Sequence, residues 1–168
     1  MENRADYVAP LAIGDVMRAG GIGIVEASNN PKLPVGAMVS GTLGMQTYCV
    51  SDGSNPPLRA MEGDIDPVMA MGVLGGTGMT AYFGLLDIGT PRAGDVVVVS
   101  GAAGATGSIA GQIAKIKGCH VVGIAGGKDK CAWLVDELGF DAAIDYKADD
   151  VGARLDALCP KGIDVYFD

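Results

Sequence analysis

The sequence holds a single histidine and only four cysteines, Cys49, Cys119, Cys131 and Cys159, with no Cys-x-x-Cys pair among them. A structural zinc site draws on four clustered Cys or His ligands and a catalytic one on about three, so this set argues against a metal centre. His120 follows Cys119 within an apolar run that reads as a strand, where neighbouring side chains point to opposite faces. Reduced, structural thiols are the better reading of the cysteines. Basic residues are also scarce, 12 against 20 acidic ones, for a net charge of −8. That balance argues against a nucleic-acid partner, which needs a basic face, but a phosphate-bearing cofactor needs only one or two well-placed cations. Glycines and charges interrupt every apolar run before the roughly 20 residues that a membrane span requires. The opening Met-Glu-Asn-Arg-Ala-Asp has no signal-peptide core. Together these absences point to the cytoplasm.

What the chain has in abundance is glycine, 27 residues in 168, clustered at 20–23, 75–78 and 101–107 without a collagen-like period. Clustered glycine points to tight turns and close backbone approach. The length suits one domain, or a small domain with part of another. Residues 1–65 read as β-rich, with short apolar runs at 16–26, 37–42 and 46–51. Asn29-Asn30-Pro31, Leu33-Pro34-Val35-Gly36 and Asp52-Gly53 separate them as turn signals. This spacing suggests a partly open barrel or sandwich, with Tyr48 as filler, and Asn55-Pro56-Pro57 marks a break. From Asp66 the pattern changes: residues 67–86, rich in Met, Leu and Ala, suit a pair of helices joined through Gly75-Gly76-Thr77-Gly78.

Residues 66–168 then alternate between strand and helix. Val96-Val97-Val98-Val99-Ser100 is a β-branched run of the kind buried on both faces of a parallel sheet. Ile109, Ile113 and Ile116 follow at the spacing of one helix face, stopped by Gly118. A strand at 120–125 precedes a helix with Cys131, Leu134, Val135 and Leu138 on one face, ended by Gly139. A strand at 142–145, a helix carrying Val151, Leu155 and Leu158, and a strand at 163–167 complete the chain. The fold class is α/β, a doubly wound parallel (Rossmann) sheet.

Between the valine run and its helix lies Gly101-Ala-Ala-Gly104-Ala-Thr-Gly107. A glycine motif alone is weak, but one placed directly after a buried strand and before a helix is the dinucleotide-binding arrangement. Gly101 permits the tight turn, Gly104 lets the backbone approach a pyrophosphate, and Gly107 packs helix on strand. The first helical N–H groups then face the phosphates. Ala103 takes one expected glycine place. An NAD site carries an acid about 20 residues on, at the end of the second strand. Here that place reads Ala125-Gly126-Gly127-Lys128-Asp129-Lys130. No acid ends the strand, and two lysines follow, which suits the 2′-phosphate of NADP(H). Asp129 is either the missing ribose acid or a charge at a helix N-terminus.

These residues resemble the zinc-independent medium-chain dehydrogenase/reductases of the prostaglandin reductase and alkenal (curcumin) reductase group. The likeness rests on Gly14-Asp15-Val16-Met17-Arg18, Gly78-Met79-Thr80-Ala81-Tyr82-Phe83-Gly84, the glycine turn, Leu138-Gly139-Phe140-Asp141 and Asp164-Val165-Tyr166-Phe167-Asp168. By that resemblance residues 1–65 are part of a GroES-like substrate domain and 66–168 the first part of an NADP-binding domain. Gly104, Ala105, Thr106 and Gly107 line the pyrophosphate and Lys130 meets the 2′-phosphate, with Gly127 opening space beside it. Tyr146 lies by the adenosine, and Met79 and Thr80 approach the nicotinamide. The implied reaction is NADPH-dependent hydride transfer to the β-carbon of an α,β-unsaturated ketone or aldehyde, through an enolate that is then protonated, in a homodimer. No residue stands out as the proton donor. Alternatives are a quinone reductase of the same superfamily and a truncated, non-catalytic dinucleotide-binding module. Family members are about twice this length, so the chain reads as an internal fragment. A short-chain dehydrogenase would carry a Tyr-x-x-x-Lys pair, which is absent.

Overall fold

The computed structural model describes residues 10–54 and 57–168; the start of the chain and the break at Asn55-Pro56 lie outside them. The chain divides into two compact units, Met1–Pro67 and Val68–Asp168.

In the first unit, β1 (Gly21–Ile24), β2 (Met38–Gly41) and β3 (Leu58–Ala60) form an antiparallel sheet in the order β1-β2-β3. Its described strands make an open sheet, with Val39 and Leu33 as the buried residues. The strand expected at 46–51 does not form. Gly44 adopts a left-handed φ of +74°, and the Gln46 side chain donates to the Leu43 carbonyl at 2.6 Å, so the extended run is closed into a turn. Tyr48 is 68% exposed and fills no barrel. The third strand is instead Leu58–Ala60, a Leu-Arg-Ala segment with no β-branched residue to announce it.

Helix α1 (Pro67–Met71), which leads into the second unit, opens with proline at its first position, where no N–H is needed. Helix α2 (Gly76–Phe83) begins at Gly76, so the joint is at 72–75 rather than at the expected 75–78. Gly78 is buried inside α2, and a Cβ there would run into the Val73 backbone. A π-helical segment (Gly84–Gly89) continues α2 and packs on the last strand. The remaining elements are β4 (Val96–Val99), α3 (Ala105–Ile116), β5 (His120–Ala125), α4 (Lys128–Asp136), β6 (Ala142–Asp145), α5 (Val151–Leu158) and β7 (Val165–Phe167). No helix among the described residues is long and apolar enough to cross a membrane.

The four strands β4 to β7 are parallel, in the order β6-β5-β4-β7. Alternation along β4 and β5 sorts the core into two layers. Val97, Val99 and Val121 pack with Ala114 of α3, Leu134 of α4, Leu85 and Phe140. Val98, Val122, Ile124 and Ile144 pack on the other side with Cys159 and with Val151, Leu155 and Leu158 of α5. Helices therefore cover both faces, which is the doubly wound arrangement. Fully burying each valine contributes roughly 1.5–3 kcal/mol, and Val97, Val98 and Val99 are all at 0% exposure.

Helix α3 corrects one expectation. Its fully buried residues are Gly107, Ala110, Gly111 and Ala114; of the isoleucines, Ile113 packs half-buried against the core and Ile116 is exposed. Two faces of this helix share the same period, and the small-residue face wins because the ring of buried Phe140 occupies the space a Cβ on Gly111 would need. Close approach of the helix to the sheet is the consequence.

At the N-terminal edge of the sheet, Asp141 accepts from Lys115 Nζ at 2.7 and 2.8 Å and from the Val121 N–H at 2.6 Å. Burial alone would raise its pKa, but the hydrogen bonds from Lys115 and Val121 and the charges of Lys115 and His120 outweigh it and hold the carboxyl below 3.8. Asp141→Ala should destabilise this unit by about 1–3 kcal/mol, since it leaves the Val121 N–H without its acceptor and the Lys115 ammonium with only the Cys119 carbonyl. The contribution is complete above the ordinary carboxylate pKa and is lost as pH falls through the lowered folded value. Thermal melts of both proteins from neutral to strongly acidic pH should show the gap in Tm closing only at the acid end.

Candidate functional site

Because the strands are parallel, the C-terminal ends of β4, β5, β6 and β7 share one edge of the sheet. The strand order reverses between β4 and β7, the switch point where ligands bind in such sheets. The sequence from Gly101 to Gly107 lies directly after β4 at this edge.

The turn is held from both sides. The Ser100 N–H donates to the Phe167 carbonyl of β7 at 2.8 Å, and the Ala102 N–H to the Ile124 carbonyl of β5 at 3.0 Å. Gly101 has φ +54° with open space beside it, so the backbone conformation alone selects glycine. The Gly104 N–H closes the turn on the Gly101 carbonyl at 2.8 Å. A Cβ on Gly104 would stand 3.0 Å from that same oxygen, and one on Gly107 only 2.5 Å from it. Gly104 is the N-cap of α3 and supplies no side-chain acceptor, so the first N–H groups of the helix, those of Ala105, Thr106 and Gly107, have no side-chain cap. A helix start of this kind favours an anion.

The next loop lies beside it. Gly126 and Gly127 follow β5; Gly127, the N-cap of α4, has φ +103° and ψ +144°. Lys128 and Lys130 are exposed on the first turn of α4, with Asp129 between them. After β6 comes Tyr146, 56% exposed, whose ring lies 2.8 Å from where a Cβ on Gly126 would stand. The structure therefore brings the 101–107 turn, Gly127, Lys130 and Tyr146 to one edge. Met79 and Thr80 sit on α2, which packs against α3. Met79 is exposed, and the Thr80 hydroxyl donates to the Gly76 carbonyl one turn back at 2.8 Å.

Asp145 escaped the sequence reading, which looked for an acid at the end of the second strand only. Its Oδ1 accepts from the Gly127 N–H at 2.8 Å and from the Lys147 N–H at 3.0 Å. These two backbone hydrogen bonds, Gly127 first, hold its carboxyl below 3.8. The signal was available: β6 ends on an acid, two strands of a parallel sheet away from the glycine turn.

The thiols of Cys119, Cys131 and Cys159 are all raised above 9.0, chiefly by burial. They are packing groups rather than nucleophiles. Among the described residues no three His, Cys, Asp or Glu side chains come together as a metal site.

Comparison with known proteins agrees with this architecture. Residues 1–57 match the family described as the N-terminal domain of oxidoreductase, and residues 105–168 the family described as zinc-binding dehydrogenase. The chain is 44% identical over 168 residues to the NADPH-dependent curcumin reductase of Escherichia coli, covering 100% of this chain and 48% of that protein. It is 44% identical over 161 residues to prostaglandin reductase 1 of Bos taurus, covering 94% and 49%. The structure of CurA from Vibrio vulnificus in complex with NADPH superposes with a TM-score of 0.90 at 46% identity, covering 99% of this chain and 49% of that one. The chain is thus similar to oxidoreductases of the zinc-binding dehydrogenase family. Within that family its likeness is to the curcumin and prostaglandin reductases, and it spans about half the length of the curated relatives it matches.

The packing makes two glycines behave oppositely. Alanine in a helix interior gains about 0.5–1 kcal/mol over glycine, but at Gly107 the methyl must displace a backbone carbonyl 2.5 Å away, which costs about 1–3 kcal/mol. Gly107→Ala should lower Tm, whereas Gly152→Ala in α5, which meets only Asp150 Oδ1 at 3.5 Å, should raise it. Paired thermal melts check both.

Proposed function

We propose that the second unit binds NADPH at the C-terminal edge of its parallel sheet, and that the chain forms this part of an enzyme reducing the C=C bond of α,β-unsaturated ketones or aldehydes. The observation that carries the reading is the Gly101–Gly104–Gly107 turn at the switch point, with its uncapped helix start and space that a Cβ would fill. The relatives support it: the curcumin reductase is named for NADPH, and CurA binds it.

In this reading residues 1–65 belong to the substrate domain and 66–168 to the cofactor domain. Gly101, Gly104, Ala105, Thr106 and Gly107 hold the pyrophosphate, their N–H groups and the helix dipole opposing its charge. Gly127 leaves room at the 2′ end, Lys130 pairs with the 2′-phosphate, and Tyr146 stacks by the adenosine. Met79 and Thr80 border the nicotinamide through the packing of α2 on α3. Asp129 is a first-turn charge on α4, which favours the dipole role over ribose binding. When bound, the cofactor supplies a hydride for the alkene β-carbon. The task left to this chain is orientation, since a hydride donor and an alkene react only when held in contact and aligned. A homodimer in the cytoplasm completes the proposal, in keeping with four free thiols.

Trp133, the single tryptophan, lies on α4 one turn beyond Lys130 and reports on this edge. Titrating the chain with NADPH and NADH should give quenching with tighter NADPH binding. Lys130→Ala should remove roughly tenfold of that preference, the worth of one charge-assisted hydrogen bond. A folded chain that binds neither cofactor would overturn the assignment. In the longer enzyme, faster NADPH oxidation with an enone than with a quinone is the expected result.

A further inference from the structure

We infer that Asp145 is a positioning residue for the 2′ end of the cofactor: its hydrogen bond to the Gly127 N–H fixes the turn that launches α4 and thereby aims Lys130. The inference rests on the NADPH reading above.

Asp145 ends β6 and stands in register opposite Ala125, the last residue of β5. An acid is thus present at the level where an NAD-binding sheet carries its ribose acid, but on the neighbouring strand and already engaged. Its Oδ1 receives the Gly127 and Lys147 N–H groups at 2.8 and 3.0 Å. Its own backbone closes the loop behind it: its N–H donates to Asp149 Oδ2 at 3.1 Å, and its carbonyl accepts from Ala148 and Asp149 at 3.0 and 2.8 Å. The carboxylate is therefore held by its own loop.

What it holds has little else to hold it. Gly127 occupies a backbone region open only to glycine, and no side chain caps α4. Lys128 and Lys130 ride on the first turn of that helix, so the direction of the turn sets where an ammonium can reach. The same loop carries Tyr146, whose N–H donates to the Ala125 carbonyl at 3.1 Å and whose ring covers Gly126. One carboxylate thus joins the lysine-bearing turn to the tyrosine-bearing loop. Its charge acts in the opposite direction, because an anion near a 2′-phosphate repels it. Asparagine keeps the acceptor oxygen and removes the charge, which separates the two effects.

The test uses the 168-residue chain, Trp133 fluorescence, and two probes that differ only at the adenosine end: adenosine 2′,5′-bisphosphate and adenosine 5′-monophosphate. The wild type should prefer the 2′-phosphorylated probe. Asp145→Ala should weaken that probe about tenfold, one hydrogen bond's worth, and move the other less than about twofold. Asp145→Asn should stay within about twofold of wild type on both. Asp145→Glu, which keeps the charge but displaces the acceptor, should behave like the alanine variant and serves if that variant does not fold. Amide exchange at Gly127 should accelerate in the alanine and glutamate variants only. Unchanged selectivity in Asp145→Ala overturns the proposal, as does tighter binding in both Asn and Ala variants, which assigns the residue a purely repulsive role. A wild-type chain that does not distinguish the probes overturns the NADPH reading itself, and with it this inference.

Discussion

Four parallel strands impose a polarity on the second unit that every other feature follows. Parallel pairing aligns the carboxyl ends of β4 to β7, so whatever the loops after those strands carry is gathered at one edge. The pairing itself depends on β4, whose three buried valines hold it between β5 and β7 and divide the core into two layers. Helix α3 can follow so tight a turn only because its inward face is Gly107, Ala110, Gly111 and Ala114. Small residues let the helix axis approach the sheet, and the glycine turn then delivers its first N–H groups to the switch point. Without the valine strand there is no edge; without the small-residue face the turn could not close.

Much of this was legible in the primary structure. The valine run, the strands at His120–Ala125 and Ala142–Asp145 and the helix at Val151–Leu158 lie where periodicity and glycine stops placed them. The burial of α3 was only partly legible by size: Ile109, Ile113 and Ile116 make the more hydrophobic stripe, yet of these Ile113 packs against the core while the small residues face inward, where the ring of Phe140, remote in sequence, closes on Gly111. The first unit was read least well, since its strands run to three or four residues, where local pattern carries little weight against long-range pairing. The placement of the glycine turn after β4 and of Lys130 at the start of α4 was legible from their positions after a strand. Asp145 did not, because its meaning comes from register with Ala125, a relation between strands that no local motif encodes.

Strand β6 is bracketed by aspartates with different tasks. Asp141, just before it, clamps Lys115 of α3 and the start of β5 at the amino edge of the sheet. Asp145, its last residue, holds the glycine turn of α4 at the carboxyl edge. A strand of four residues keeps these carboxylates at opposite margins of the domain, one toward the anchoring side and one toward the ligand side. Groups that far apart, sharing no partner, contribute additively to free energy. The domain is therefore modular along its strand axis: the loops at its carboxyl margin can drift or be redesigned while the opposite margin continues to secure the scaffold.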